Sequence, residues 1–322
     1  MTHKQRLLAL FCCLPAMAMA EPTLYLGMNG GTMEKLFTDN ILPAFEKANG
    51  VKVVIVPGTS ADILAKVQAT PNKPPIHVMV LDDGIMYRAI GMGLCSKLTP
   101  NPTLDQLPEK ARIKDQAAAV SLGVTGLAYN SRLFKENGWA APTSWNDLAD
   151  PRYKDKVVFQ SMVSSTFGLH GFLMFNRLKG GTDTDVEPGF SAWPKTVGPN
   201  VLEYIPNSAK ISEMVQTDEA ALFPLTPTQV SALKLKGIPV EYAAPEEGAV
   251  VLNQAECVTA NNDQPELAQK LAQFLISPEA QAPALELGDQ IPSNPTTPTT
   301  DKTRGQVEAM QEYLKTAVTI DW

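Results

Sequence analysis

An α/β fold, with mostly parallel sheet strands covered by helices, is predicted by three observations. Strand, loop and helix alternate three times within residues 21–91, and the alternation resumes after residue 157. The 322 residues exceed the roughly 100–200 of one domain, so two are expected. At 44% hydrophobic and 19% charged, the composition excludes a disordered chain.

Residues 1–20 stand apart. Lys4 and Arg6 precede an apolar run over 7–19 that holds Cys12, Cys13 and Pro15, and Ala18-Met19-Ala20 has the small-x-small pattern of a cleavage site. A cleaved secretory signal is expected, because the run is shorter than the roughly 20 residues of a membrane span. Its removal takes the net charge from −7 to −9, which argues against nucleic acid or an anionic membrane as partner. Cys95 and Cys257 then remain; they either pair in an oxidising compartment or are two separately buried thiols.

The first unit is a strand over 23–26, the loop Gly27-Met28-Asn29-Gly30-Gly31-Thr32 and a helix to Lys47 with Leu36, Phe37, Ile41 and Phe45 inward. The second has a strand over 51–56, the turn Pro57-Gly58-Thr59-Ser60 and a helix over 61–69. The third runs from a strand at 77–81 through Asp82-Asp83-Gly84 to a helix ending at Gly91. Ligands of such sheets sit beyond the carboxyl ends of the strands, so the three loops point at one site. A long β-rich run spans 117–130, with Gly123 and Gly126 where direction can change.

Further units follow: a strand at 157–159, the loop 161–166 and a helix over 167–178; a polar insert with Asp183, Asp185 and Glu187; a strand at 201–205. A strand at 220–225 ends in Thr226-Pro227-Thr228 before a short helix, and a strand over 240–243 precedes the turn Pro245-Glu246-Glu247-Gly248. A strand over 249–252 and a helix with Leu267, Leu271, Phe274 and Leu275 on one face come next. Residues 292–300, rich in Pro and Thr, are a linker or a strapped-down tail before a helix over 306–317.

Catalytic chemistry finds little support. Beyond residue 20 the histidines are His77 and His170, and His77 adjoins an apolar strand where a structural role is expected. Neither Gly-x-Ser-x-Gly nor His-x-x-x-His nor Cys-x-x-Cys occurs. Gly30-Gly31-Thr32 lacks the lysine of a P-loop. Asp82-Asp83 and Glu246-Glu247 read as solvated turns with a capping Asp rather than an acid/base pair.

The most specific stretch is Pro142-Thr143-Ser144-Trp145-Asn146-Asp147-Leu148, then Asp150-Pro151 and Tyr153-Lys154-Asp155-Lys156-Val157. With the return segment 245–281, it resembles the periplasmic solute-binding proteins of bacterial ABC importers, the family of receptors for polyamines, ferric iron and thiamine. The resemblance implies a type II periplasmic-binding-protein fold: two lobes, each a mostly parallel mixed sheet flanked by helices, joined by a two-strand hinge. One lobe comprises 21–121 plus 245–290, the other 122–244, with 291–322 as a tail and helix on the body; hinges are expected at 122–124 and 242–244. It also implies a periplasmic location, no catalysis, no cofactor, and docking of a monomeric closed form on an inner-membrane permease driven by an ATPase.

The expected ligand set combines small or hydroxyl residues at helix amino ends with a few charges. It comprises Asn29, Gly30, Gly31 and Thr32; Thr59 and Ser60; Ser164, Ser165 and Thr166; and Thr226. Asp82 or Asp83 is the anchor for an amino group, Tyr204 or Phe223 the cover for an apolar portion, and Glu247 a further carboxylate. Polyamine receptors carry Trp and Asp where this chain has Leu252 and Gln254, and ferric-iron receptors use adjacent tyrosines that this chain lacks. A small anionic or zwitterionic organic solute is therefore expected, with a polyamine or other organic cation second and a secreted hydrolase a distant third.

Overall fold

The computed structural model describes residues 21–163, 165–206 and 208–322; the expected signal over 1–20 and the expected ligand residue Ser164 lie outside them. The strands are β1 (Thr23–Met28), β2 (Lys52–Pro57), β3 (Val78–Asp82), β4 (Arg112–Ile113), β5 (Ala117–Asn130), β6 (Val157–Gln160), β7 (Val201–Ile205), β8 (Leu222–Leu225), β9 (Val240–Ala243) and β10 (Val250–Val258). Their order is β2-β1-β3-β10-β5-β8-β6-β7, with β4 and β9 also on β5.

β5 belongs to both halves of this sheet. Residues 118–125 pair antiparallel with β10, and 126–130 pair antiparallel with β8 and β9. At about 3.3 Å per residue its 14 residues span about 46 Å, enough to run from one lobe into the other. Around it the crossover units pair in parallel: β1 with β2 and β3, β6 with β7 and β8. The carboxyl ends of β1, β2 and β3 consequently point the same way, and the loops after them gather at one edge.

Alternation along each strand loads both faces. Val78 and Val80 face Phe45, Leu271 and Leu275, while Met79 and Leu81 face Ile63 and Met86. In the second lobe Phe159 packs with Phe172, Phe175 and Trp193, and its neighbour Val158 with Ile211 and Phe223. Each lobe is thus a sheet with apolar layers on both sides.

Three features extend or correct the sequence reading. β10 runs to Val258, well past the apolar stretch ending at Leu252, because pairing with β3 and β5 on both sides carries Asn253, Gln254 and Glu256 into the sheet. Cys95 and Cys257 form a disulfide, Cα–Cα 5.7 Å. Residues 292–300 are strapped down: the Ser293 hydroxyl donates to the Ala119 carbonyl, and the buried Asn294 bonds Gln281 and the Ile276 carbonyl.

The chain finishes by crossing between lobes. Helix Arg304–Thr316 sets Met310 against Val124, Ala249 and Ile291, and Tyr313 edge-on to Tyr242, 5.0 Å between centroids. Val318 then lies alongside β10, donating to the Ala249 carbonyl and accepting from Val251 N–H, both at 2.8 Å. Further on, Arg177 Nη2 donates to the Thr319 carbonyl at 2.9 Å and Asp183 accepts from Asp321 N–H at 2.8 Å. Both partners belong to the second lobe.

Candidate functional site

A cavity of about 490 Å³ opens between the lobes. Three helices present amino ends to it: Ser60–Ala69 through Thr59, Ser60 and Ala61; Asp83–Gly91 through Asp82, Gly84 and Ile85; and Thr166–Leu178 through Ser165, Thr166 and Phe167. The amides of a helix's first turn have no carbonyl within the helix to bond, and the dipole adds partial positive charge there. Thr59 spends its side chain on a capping box with Asp62, so its first helix is fixed before any ligand arrives.

Asp82 joins the two lobes. Its carboxylate accepts from the Thr166 hydroxyl at 2.9 Å, and its own N–H donates to Ser60 Oγ at 3.1 Å. Burial raises its pKa above the usual carboxylate range, against the opposing pull of hydrogen bonds from Thr166 and Gln254. On the far side Gln160 accepts from the Ser165 hydroxyl at 2.6 Å, which aims that residue along the cavity wall.

Behind this wall lies a second cluster. Asp83 is buried, accepting from Gly84 N–H at 3.0 Å and Asn253 N–H at 3.2 Å. His170, fully buried on the opposite lobe, bonds Thr125 Oγ1 through Nδ1 at 2.9 Å, and its Nε2 sits 3.9 Å from Asp83 without a hydrogen bond. Burial pushes Asp83 up to about 8 and His170 down to about 3, so at neutral pH both are uncharged and the contact is no ion pair.

The cavity brings together Asn29, Thr59, Ser60, Asp82, Ser165 and Thr166 of the expected set. Gly30 packs on Pro57 instead, and Gly31, at φ +70°, makes the turn that starts the helix at Thr32; neither they nor Thr32 line it. Phe223 points into the second lobe's core, and Thr226 caps the helix Pro227–Leu235. The Tyr204 hydroxyl accepts from Trp193 Nε1–H at 2.7 Å. Glu247 accepts from the Ser144 hydroxyl and, at 3.2 Å, from Trp145 N–H, so it braces the Trp145 turn. Asp82 and Asp83 are not a solvated turn, because β3 delivers them beneath the opposite lobe.

Six polar or aromatic wall residues escaped the sequence reading: Tyr87, Arg88, Gln160, Phe167, Ser208 and Trp322. Gly84, Tyr87 and Arg88 stand at i, i+3 and i+4 of one helix, a spacing that carries the amino-end face along to them. Arg88 has no ion-pair partner among the described residues and is exposed along the cavity wall. Gln160 ends a strand that read as finishing at Phe159, and nothing local marked Trp322. His77, by contrast, is structural: its Nδ1 accepts from Tyr25 N–H at 2.8 Å and its Nε2 donates to Asp263 at 3.0 Å.

The family model for bacterial extracellular solute-binding proteins matches residues 40–311. A Salmonella typhimurium protein, whose name assigns it to 2-aminoethylphosphonate binding in the periplasm, is 23% identical over 254 residues, 77% of this chain and 72% of that one. Among solved structures, an ABC transporter from Clostridium perfringens superposes with a TM-score of 0.77 at 19% identity, covering 92% of this chain and 93% of its own. The periplasmic binding protein AfuA from Actinobacillus pleuropneumoniae, with fructose-6-phosphate bound, gives a TM-score of 0.73 at 20% identity, covering 92% and 100%.

Proposed function

Since the chain belongs to the family of bacterial extracellular solute-binding proteins, we propose that it captures a small organic solute carrying an anionic group and an amino group in the interlobe cavity and hands it to an inner-membrane ABC permease. It acts in the periplasm as a monomer after removal of 1–20, and it releases the solute unaltered. The lobes are 21–121 with 245–290, and 122–244; they close about β5 near 122–124 and the link near 242–244.

One observation carries the choice of solute: Arg88, without an ion-pair partner among the described residues, shares the cavity with Asp82 and with the amino ends of three helices. A guanidinium, helix amides and the Ser60 hydroxyl, whose proton is not spent on Asp82, suit a phosphonate, phosphate or carboxylate. Asp82 suits an ammonium. The name of the Salmonella relative, a protein assigned to a zwitterionic phosphonate, and the sugar phosphate held by AfuA support this reading.

Calorimetry with 2-aminoethylphosphonate, a dicarboxylate and putrescine tests it. Binding of the phosphonate is expected, and Arg88→Ala and Asp82→Asn are each expected to weaken it about 10- to 100-fold, as loss of a charge-assisted contact does. Binding of putrescine alone, unaffected by Arg88→Ala, would establish the second reading, an organic cation held by Asp82.

A further inference from the structure

We propose that the solute carries an apolar body beyond its charged head, and that Trp322, brought into the cleft by the 317–322 tail, is the residue that selects for it. The inference rests on the charged-head reading above and adds the part of the solute which that reading leaves open.

The cavity is too large and too apolar for a head alone. Its 490 Å³ equals about sixteen water volumes, whereas a two-carbon aminophosphonate has about seven non-hydrogen atoms. Most of its polar groups gather at the helix amino ends, with Arg88, Gln160 and Ser208 apart from them. The apolar and aromatic part of the wall includes Ile85 and Tyr87 from one lobe, Met162, Phe167 and Leu169 from the other, and Trp322. A wholly polar solute would leave these side chains against unbonded hydroxyls, whereas an apolar body returns their surface to contact at about 25 cal/mol per Å².

Trp322 is held in place from both sides. Its indole lies over Gly84, where an added Cβ would come within 2.8–3.1 Å of three ring atoms. It also meets the His170 ring, 5.9 Å between centroids and tilted by 36°. The tail behind it is tied to β10 through Val318 and to the second lobe through Thr319 and Asp321. The ring thus bridges both lobes at the cavity wall, and glycine at 84 leaves room for it.

The test is calorimetry on the protein with residues 1–20 removed, using three probes: 2-aminoethylphosphonate, 2-amino-1-phenylethylphosphonate and fructose 6-phosphate, the last of similar bulk with a polar body. The phenyl probe is expected to bind at least 10-fold tighter than the bare head and tighter than the sugar phosphate. Trp322→Ala should shrink the phenyl-to-head ratio to within about threefold, and Trp322→Phe should restore most of it. Met162→Ala, which leaves the tail intact, should also lower the ratio, so the test stands even if Trp322→Ala fails to fold. A ratio near one, a sugar phosphate that outbinds the phenyl probe, or equal losses for both phosphonates in Trp322→Ala would overturn the inference while leaving the charged head standing. Failure of all three probes to bind would overturn the head assignment and this inference with it.

Discussion

Single residues show where burial and chemistry conflict. Glu256 is fully buried on β10 between Val80 and Ala118, and neither carboxylate oxygen has a hydrogen-bond partner. Burial pushes its pKa from 4.5 up to about 8. A carboxyl whose folded pKa is raised adds stability that is fully present below its unfolded pKa and is lost as pH rises through the folded one. Stability should therefore fall between about pH 4.5 and 8, by on the order of 3 kcal/mol at pH 7. Glu256→Gln should flatten that slope and leave the protein more stable at pH 8, as urea unfolding at pH 5 and 8 would show. An unchanged slope would mean that the carboxyl is hydrated. Such a residue is invisible to pattern reading, since Asn253, Gln254 and Glu256 made the strand look finished at Leu252.

At the level of elements, loops following strands were legible because strand, turn and helix each carry a local signal: alternation, glycine or hydroxyl, helical spacing. Asn29, Thr59, Ser60, Asp82, Ser165 and Thr166 reached the cavity for that reason. Residues placed by tertiary contact did not show. Arg88 lies a full turn into its helix, and Trp322 depends on a tail anchored to residues 177 and 183. Conversely, Phe223 and Thr226 looked suitable by type but face the core or cap a helix. The crossing strand illustrates how closely its neighbours fit. A Cβ at Gly126 would fall 2.3 Å from Tyr242 Oη, a buried hydroxyl without a hydrogen-bond partner. Gly126→Ala should cost about 1–3 kcal/mol, and adding Tyr242→Phe should recover part of it, so a double-mutant cycle in urea should show coupling. Purely additive losses would place the clash elsewhere. The disulfide is an element-scale staple: it links residues 162 apart, for which chain entropy predicts about 5 kcal/mol. The Cys95→Ser/Cys257→Ser protein should unfold at markedly lower urea, and no shift would show that the bond leaves the unfolded chain unconstrained.

For the whole molecule, the proposed hinge motion gives Asp83 and His170 a shared role. They come from opposite lobes, packed with Thr125, Asn253 and Trp322, and Asp83 interacts electrostatically with the titrating groups of Asp82 and Tyr87. With the lobes in contact here, Asp83 is neutral below about pH 8 and His170 is neutral above about pH 3. If opening hydrates both, their pKa values return toward about 4 and 6.5. Between those values the open form carries Asp83 as carboxylate and His170 as imidazolium, and closure moves one proton from the ring to the carboxyl without net exchange with solvent. Above about 6.5 the open histidine is already neutral, so closure must take up a proton, and it becomes progressively harder until about pH 8. Affinity for a bound phosphonate should accordingly be flat from about pH 4.5 to 6 and weaken by up to about tenfold per unit above 6.5. Calorimetry at pH 7.5 in buffers of different ionisation enthalpy should register uptake of about two-thirds of a proton. Asp83→Asn, which keeps the shape and removes the titration, should abolish both the uptake and the slope. If uptake persists in Asp83→Asn, the proton enters at Asp82 or on the solute. If the wild-type protein takes up none at pH 7.5, the two groups stay buried throughout, and opening leaves the floor of the cleft closed.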